Sequence, residues 1–304
     1  MQEVSAEDVA WLYAELAERG KRAGVCRTAG VTCAEHGCSP DRHDGLKPKS
    51  LSHVHAALRA ILAQAVEDGL VPTNVAETKR ARSARPRGGS NGTKVTAEQC
   101  WTTEQARAFV AATADDRLGP LWALLLGTGL RRGEAIGLRW EHIDLDAGTL
   151  RVARSETAVR GQVVESDDTK SPAGIRTILL GDELVTILRA HRKRQAEEQL
   201  AAGPAWVDSG YLFVDVDGRA LHPNKVSTSF TAAADAAGLP RIGAKGLRHT
   251  HATMLLRDGV PVPAVGLRLG HANPSITLTT YTHFVPADDA LAADATSRVL
   301  FAEA

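Results

Sequence analysis

The sequence predicts a mainly α-helical protein with a small antiparallel sheet, divided into two domains. Three observations carry this prediction. Apolar residues recur at helical spacing through most of the chain. Between residues 149 and 180 the period switches to two, as in strands. A basic segment, KRARSARPRGGSNG at 79–92, separates two stretches that each hold enough apolar residues for a core. At 304 residues the chain suits two domains of ordinary size.

The elements follow in order. Residues 5–20 predict a helix with Ser5 as its cap and Gly20 as its close. Residues 21–49 have no usable periodicity and read as a loop rich in cysteine and histidine. SLSHVHAALRAILAQAVEDGL predicts a long amphipathic helix ending at Gly69, with VPTN as a turn. This gives a helical domain at 1–80, a basic linker at 81–94 and a second domain at 95–304. In the second domain Thr102 and Gln105 have the spacing of a capping box. PLWALLLGTG predicts a buried helix broken by Gly127 and Gly129, and RRGEAIGLRWEHID a further helix. TLRVARSE, VRGQVVES and GIRTILL predict a three-stranded meander. After it come a charged helix over DELVTILRAHRKRQAEEQLAAG, a turn unit at FVDVDGRAL, and helices over 224–237, 247–258 and about 262–269.

Composition narrows the function classes. Hydrophobic residues make up 43% and charged residues 24%, a globular balance. No apolar run reaches the roughly 20 residues that span a bilayer. The acidic start, MQEVSAEDVAWL, is unlike a secretory signal, so a cytoplasmic protein is expected. Four cysteines do not make a disulfide scaffold in a chain of this size. Formal net charge is zero, so only a local cluster of cations can recruit a polyanion.

Three segments break the plain helical pattern. In GTGLRRGEAIGL an arginine pair sits between two helices, and Glu134 lies three residues beyond Arg131 on the same face, able to orient its guanidinium. In TKSPAGIRTILL, Lys170 precedes an apolar strand in an exposed turn. In KGLRHTHATMLL, Lys245 precedes Arg248 by three residues. LRLGHANPSITLTTYTHF then places His271 ten residues before Tyr281, one of only three tyrosines. His249 and His251 read as structural or solvent-facing. Taken singly, each segment also fits an ordinary surface.

Together the six residues describe a coherent chemistry. Arginine forks bind the non-bridging oxygens of a phosphodiester and stabilise the added charge of a pentavalent transition state. A phenol ionises far below an alkoxide and can attack phosphorus. The 5′-oxygen leaves poorly unless protonated, which a lysine can do. No carboxylate cluster suits a two-metal phosphoryl-transfer site, so neither metal nor cofactor is expected.

TGLRRGEA, TKSPAGIRTILL, LRHTHAT and LGHANPSITLTTYTH, in this order and spacing, resemble the four signature segments of the tyrosine recombinases, and among them the phage-type integrases. The resemblance covers roughly residues 50–285. It implies a helical core-binding domain and an α+β catalytic domain forming a C-shaped clamp around duplex DNA. It further implies strand cleavage and rejoining through a 3′-phosphotyrosine. By that resemblance Arg131 and Arg248 bind the phosphate, Lys170 is the general acid, His271 hydrogen-bonds the scissile phosphate and Tyr281 is the nucleophile. The implied partners are double-stranded DNA attachment sites, three further copies of the chain in a synaptic tetramer, and accessory DNA-bending or directionality proteins. The segment TSRVLFAEA reads as a helix that docks on a neighbouring protomer.

Two departures from the family pattern stand out. The family usually has histidine where this chain has Lys245, which leaves that residue either a base for the tyrosine or a phosphate ligand. The front of the chain resembles the middle of a core-binding domain, with an inserted loop carrying Cys26, Cys33, Cys38, His36 and His43. Three thiolates and an imidazole suit a tetrahedral zinc site, but no CxxC spacing is present, and an unliganded loop is the simpler reading. A DNA-binding integrase remnant without activity, and a topoisomerase of type IB, are the alternatives to a recombinase.

Overall fold

The computed structural model describes residues 4–19, 45–84, 95–152, 155–159, 162–166 and 175–284. The Cys/His loop, the linker from Arg85 onward, Lys170 and the tail after Phe284 lie outside the described residues. The chain divides into two compact units, Met1–Gly92 and Thr93–Ala304.

Among its described residues the first unit packs three α-helices. α1 (Ala6–Arg19) starts where expected: Ser5 Oγ accepts from the Asp8 N–H, and the Asp8 carboxylate accepts from the Ser5 N–H at 2.8 Å. α2 (Pro48–Glu67) ends at Asp68, with Gly69 in the left-handed region at φ +68°. α3 (Lys79–Ala84) occupies a segment read from sequence as the approach to the linker. The reason is local and tertiary together. Thr78 Oγ1 accepts from the Ala81 N–H, and Ala81 is buried against Val9 and Tyr13 of α1. Tyr13 also reaches His55 on α2, with its hydroxyl 2.8 Å from Nδ1.

The second unit begins with α4 (Thr103–Ala112), capped by the expected reciprocal pair Thr102 and Gln105. Its Phe109 joins Trp101, Trp122 and Phe230 in an aromatic cluster with ring centroids 4.8 to 6.5 Å apart. α5 (Gly119–Thr128) is buried almost throughout, runs through Gly127 without a break, and is closed by Gly129 at φ +68°.

The helix expected over RRGEAIGLRWEHID is much shorter. α6 (Arg132–Ile136) stops at Gly137, because the backbone beyond it pairs elsewhere. Leu212 N–H donates to the Leu138 carbonyl and Trp140 N–H to the Gly210 carbonyl, and β1 (Ile143–Asp144) follows a single turn later.

The meander is also corrected. β1, β2 (Thr149–Val152) and β5 (Arg176–Leu179) form one antiparallel sheet in the order β1-β2-β5, with Leu150 opposite Ile178. β3 (Ser155–Val159) and β4 (Gln162–Ser166) form a separate two-stranded hairpin. Leu150, Val152 and Ile178 are buried in the core, so the outer segments pair with each other to cover it.

The remaining helices frame the site. They are α7 (Asp182–Ala202), α8 (Pro223–Ala236), α9 (Ala244–Arg257), α10 (Val262–Leu269) and α11 (Pro274–Tyr281). α9 begins at Gly243, so Arg248 lies in its second turn rather than at its start. α11 is unannounced in the sequence. Its threonine-rich run has weak helix propensity, but Asn273 caps it, Pro274 opens it, and Thr277 and Tyr281 are buried. Among the described residues no helix is long and apolar enough to cross a membrane.

Candidate active site

The site grows from two helix ends. Gly129 closes α5, and its left-handed backbone turns the chain so that Arg131 caps α6. A Cβ at Gly129 would lie 2.5 Å from His251 Cδ2 and 2.7 Å from Leu269, so this turn needs glycine for its space as well as its φ. The Gly129 carbonyl oxygen accepts from Arg248 Nη1 at 2.8 Å, and the Leu269 carbonyl, at the end of α10, accepts from Nη2 at 2.7 Å. Two carbonyls from separate helix ends thereby fix the Arg248 guanidinium.

Glu134 does for Arg131 what its spacing predicts. Its Oε2 accepts from the Arg131 N–H at 2.8 Å and its Oε1 from Nη1 at 2.6 Å. No local spacing signals its second partner, Arg176 on β5, whose Nη2 lies 3.0 Å from Glu134 Oε2. Arg176 Nε also donates to the Arg268 carbonyl at 2.8 Å. Burial alone would raise the Glu134 carboxyl. The hydrogen bond and charge of Arg176, with those of Arg131, hold it below the usual range instead.

Arg248 is pushed down to about 10, first by burial and then by the charge of Arg131, and stays protonated near neutral pH. Arg131 is different in kind, its side chain remaining 50% exposed. Two guanidiniums thus bond one carboxylate, and a third, that of Arg248, lies within reach of its charge. In a chain of zero net charge this is a concentrated positive site, suited to an anion with paired oxygens.

His271 follows the left-handed Gly270 at the end of α10. Its Nδ1 lies 2.6 Å from the buried Thr277 Oγ1, and burial, then the charges of Arg248, Arg131 and Arg176, push it down to about 4. It is therefore a neutral imidazole near pH 7, held from behind by α11.

Tyr281 ends α11 and is 1% exposed, its ring packed with Val95, Ala252, Leu256, Val265 and Leu269. Its hydroxyl lies 2.7 Å from His249 Nδ1, and the two rings meet edge to face. Burial pushes the phenol up to about 12, against the pull of Arg248. His249 is itself buried and pushed down to about 4 by that burial and by the charges of Lys245 and Arg248.

His251 is structural. Its Nδ1 is 2.7 Å from the Leu126 carbonyl and its Nε2 accepts from Arg268 Nε, which fixes the tautomer with the proton on Nδ1. Arg268 also donates to the Gly127 carbonyl, tying α10 to α5.

Of the six residues picked out by sequence, Arg131, Arg248, His271 and Tyr281 gather here. Lys245 stands exposed one turn before Arg248, with its charge reaching His249. Lys170 lies outside the described residues. Sequence reasoning missed Arg176 and dismissed His249. Their partners are 42 and 32 residues away, and no local spacing announces either contact.

Comparisons with known proteins place the chain in a family. A 31% identical relative, a XerC-like tyrosine recombinase of Caldanaerobacter subterraneus subsp. tengcongensis, aligns over 80% of this chain and 64% of its own length. An integrase of Streptomyces ambofaciens is 28% identical over 78% of this chain and 60% of its own. The chain thus spans somewhat less than two thirds of these relatives. The Tn1549 transposon integrase, solved with a circular intermediate DNA, shares the fold at TM-score 0.64 and 19% identity, over 98% of this chain and 86% of that one. A lambda integrase dimer bound to a core site does so at TM-score 0.52 and 16% identity, over 94% and 65%. The profile of the phage integrase family matches residues 101–287, a span that holds every member of the arginine, histidine and tyrosine cluster, and the chain belongs to that family.

Proposed function

We propose that this protein is a site-specific DNA recombinase that cleaves and rejoins strands through a phosphotyrosine at Tyr281. One observation carries the reading. Neighbouring residues on α9 serve the two halves of the chemistry: Arg248 enters the guanidinium cluster, while His249 holds the Tyr281 hydroxyl. A phosphodiester bound by Arg131 and Arg248 therefore comes beside the only buried phenol of that cluster of helices among the described residues.

In this reaction the phenolic oxygen attacks phosphorus, the bond to the 5′-oxygen breaks, and the protein is left on the 3′-phosphate. Lys170 protonates the departing oxygen, and His271 donates to a non-bridging oxygen from its Nε2. Rejoining is the reverse, with a 5′-hydroxyl attacking the phosphotyrosine. The ester bond energy is conserved, so the chemistry calls for no nucleotide cofactor.

The helical segment at 1–80 is read as the core DNA-binding domain, and the partner as a duplex attachment site held by four copies of the chain. The action of the integrases named above on DNA supports that partner. The test is cleavage of a nicked suicide substrate, from which the freed strand diffuses away. The native chain should accumulate a covalent adduct, and Tyr281→Phe should form none while binding the same DNA. An adduct on the Phe variant would remove Tyr281 as nucleophile, and none from the native chain would leave a DNA-binding protein without this activity.

A further inference from the structure

Three buried histidines of the second unit are held in different ways. His191 and His251 each bond a backbone carbonyl, those of Leu212 and Leu126, which is the ordinary arrangement of a core imidazole. No carbonyl of the described residues bonds the His249 side chain. Among the described residues its side chain makes one hydrogen bond, and the partner is the oxygen of Tyr281 at 2.7 Å.

The direction of that bond follows from the protonation of its two ends. The phenol, held at about 12, keeps its proton at neutral pH, and the imidazole, held at about 4, is neutral with one nitrogen free to accept. No other described side chain accepts the phenolic proton, so the hydroxyl donates to Nδ1. A neutral imidazole therefore already holds the proton that must leave before Tyr281 can attack.

We propose that His249 is a catalytic residue, the general base whose Nδ1 takes the Tyr281 proton as the phenolic oxygen bonds to phosphorus. The proposal rests on the reading of Tyr281 as the nucleophile. The O–H bond breaks toward Nδ1, the oxygen–phosphorus bond forms, and the bond to the 5′-oxygen breaks as that oxygen takes a proton from the general acid. On rejoining, the imidazolium returns its proton to the departing phenol.

The charges around the pair favour transfer only when DNA is present. Lys245 and Arg248 face His249 from its own helix, His271 from the turn after α10, and Tyr281 from α11, where Cys100 also faces the phenol. A bound phosphodiester offsets the two cations and raises the proton affinity of the imidazole. Lys245 is then left as a phosphate ligand, which resolves its double reading.

The test compares single-turnover cleavage by the native chain and by His249→Asn. Asparagine keeps an acceptor near Nδ1 but takes no proton. Cleavage should fall about 10²- to 10⁴-fold, the usual contribution of a positioned base, with DNA affinity unchanged. Activity within about threefold of the native chain would overturn the proposal, because hydrogen bonding alone would then suffice.

A fluorinated tyrosine at position 281 supplies the second arm. Its phenol ionises much more readily and needs no base, so most of the His249→Asn defect should disappear; an undiminished defect would overturn the assignment. Should the Asn variant fail to fold, the native background still decides. Fluorotyrosine there should flatten the fall in rate at acid pH, and an unchanged fall counts against a base at His249. Failure of Tyr281 as nucleophile would show itself separately, as adduct formation by Tyr281→Phe.

Discussion

Arg248 and Gly129 are joined by a hydrogen bond from guanidinium to carbonyl across 119 residues of sequence. The glycine is thus both the end of one helix and part of the mount for the buried guanidinium of another. Its φ of +68° and the 2.5 Å approach of His251 leave no room for a side chain. Gly129→Ala should destabilise the chain by about 2–4 kcal/mol, adding left-handed strain to overpacking. Single-turnover cleavage should fall further than stability accounts for, because the Arg248 acceptor moves. Urea unfolding and cleavage on the same preparation check this, and a variant with native stability would refute the crowding argument.

Glu134 is the only carboxylate among the described residues that touches the arginine cluster, and Arg176 beside it is buried. Glu134→Gln should cost about 3 kcal/mol or somewhat more, the low end for breaking a buried pair, since Arg131 is half exposed and recovers water. Cleavage should drop with it as Arg131 loses its orientation. Equal unfolding midpoints for the two proteins would show that the pair contributes little.

Lys245 offers a charge rather than a proton if it binds phosphate. Lys245→Met should then slow cleavage about 10²- to 10³-fold, as losing one stabiliser of a developing oxyanion does. Lys245→Arg keeps the charge but is no base near neutral pH, and should stay within about tenfold of the native rate. An arginine variant as slow as the methionine one would make Lys245 the base, and would count equally against His249.

Four histidines, His191, His249, His251 and His271, are each held down at about 4 with burial as the leading cause. Unfolded, they would take up protons near the ordinary 6.5. Between those two values the unfolded chain binds more protons than the folded one, so stability falls as pH falls from about 6.5 toward 4. Each histidine contributes a slope of at most ~1.4 kcal/mol per pH unit in that window. Denaturant unfolding at pH 7, 6, 5 and 4.5 measures it. Constant stability over that range would mean that these imidazoles are not held neutral.

The sequence showed what local chemistry controls. Ser5, Thr102 and Gly129 stop or start helices by hydrogen bonds and φ preferences within four residues, and each stands where its motif predicts. Glu134 was legible for the same reason, being one helical turn from Arg131. What long-range packing decides was not legible. α6 is cut short by pairing with residues 210–212, and β2 passes over the nearer hairpin to pair with β5 because Leu150 and Ile178 share the core. α11 is helical in spite of its threonines because Thr277 and Tyr281 are buried. The partner of His249 was hidden in the same way: a histidine in RHTH looks alike whether it faces solvent or the hydroxyl of a residue 32 positions on.

The lone carboxylate of Glu134 has a consequence for timing as well as for position. Arg131, Arg176 and Arg248 bring three positive charges against its one negative. A phosphodiester returns a single negative charge to this balance, leaving the site short of neutrality. The pentavalent phosphorane formed by a phenolate would carry two and offset more of the surplus. On the proposed reading, the site is better matched in charge to this short-lived species than to the phosphodiester before and after it. A nicked duplex bridged by vanadate, which adopts that geometry and charge, should therefore bind more tightly than the same duplex with an intact phosphate; equal affinity would mean that the surplus charge serves the fold alone.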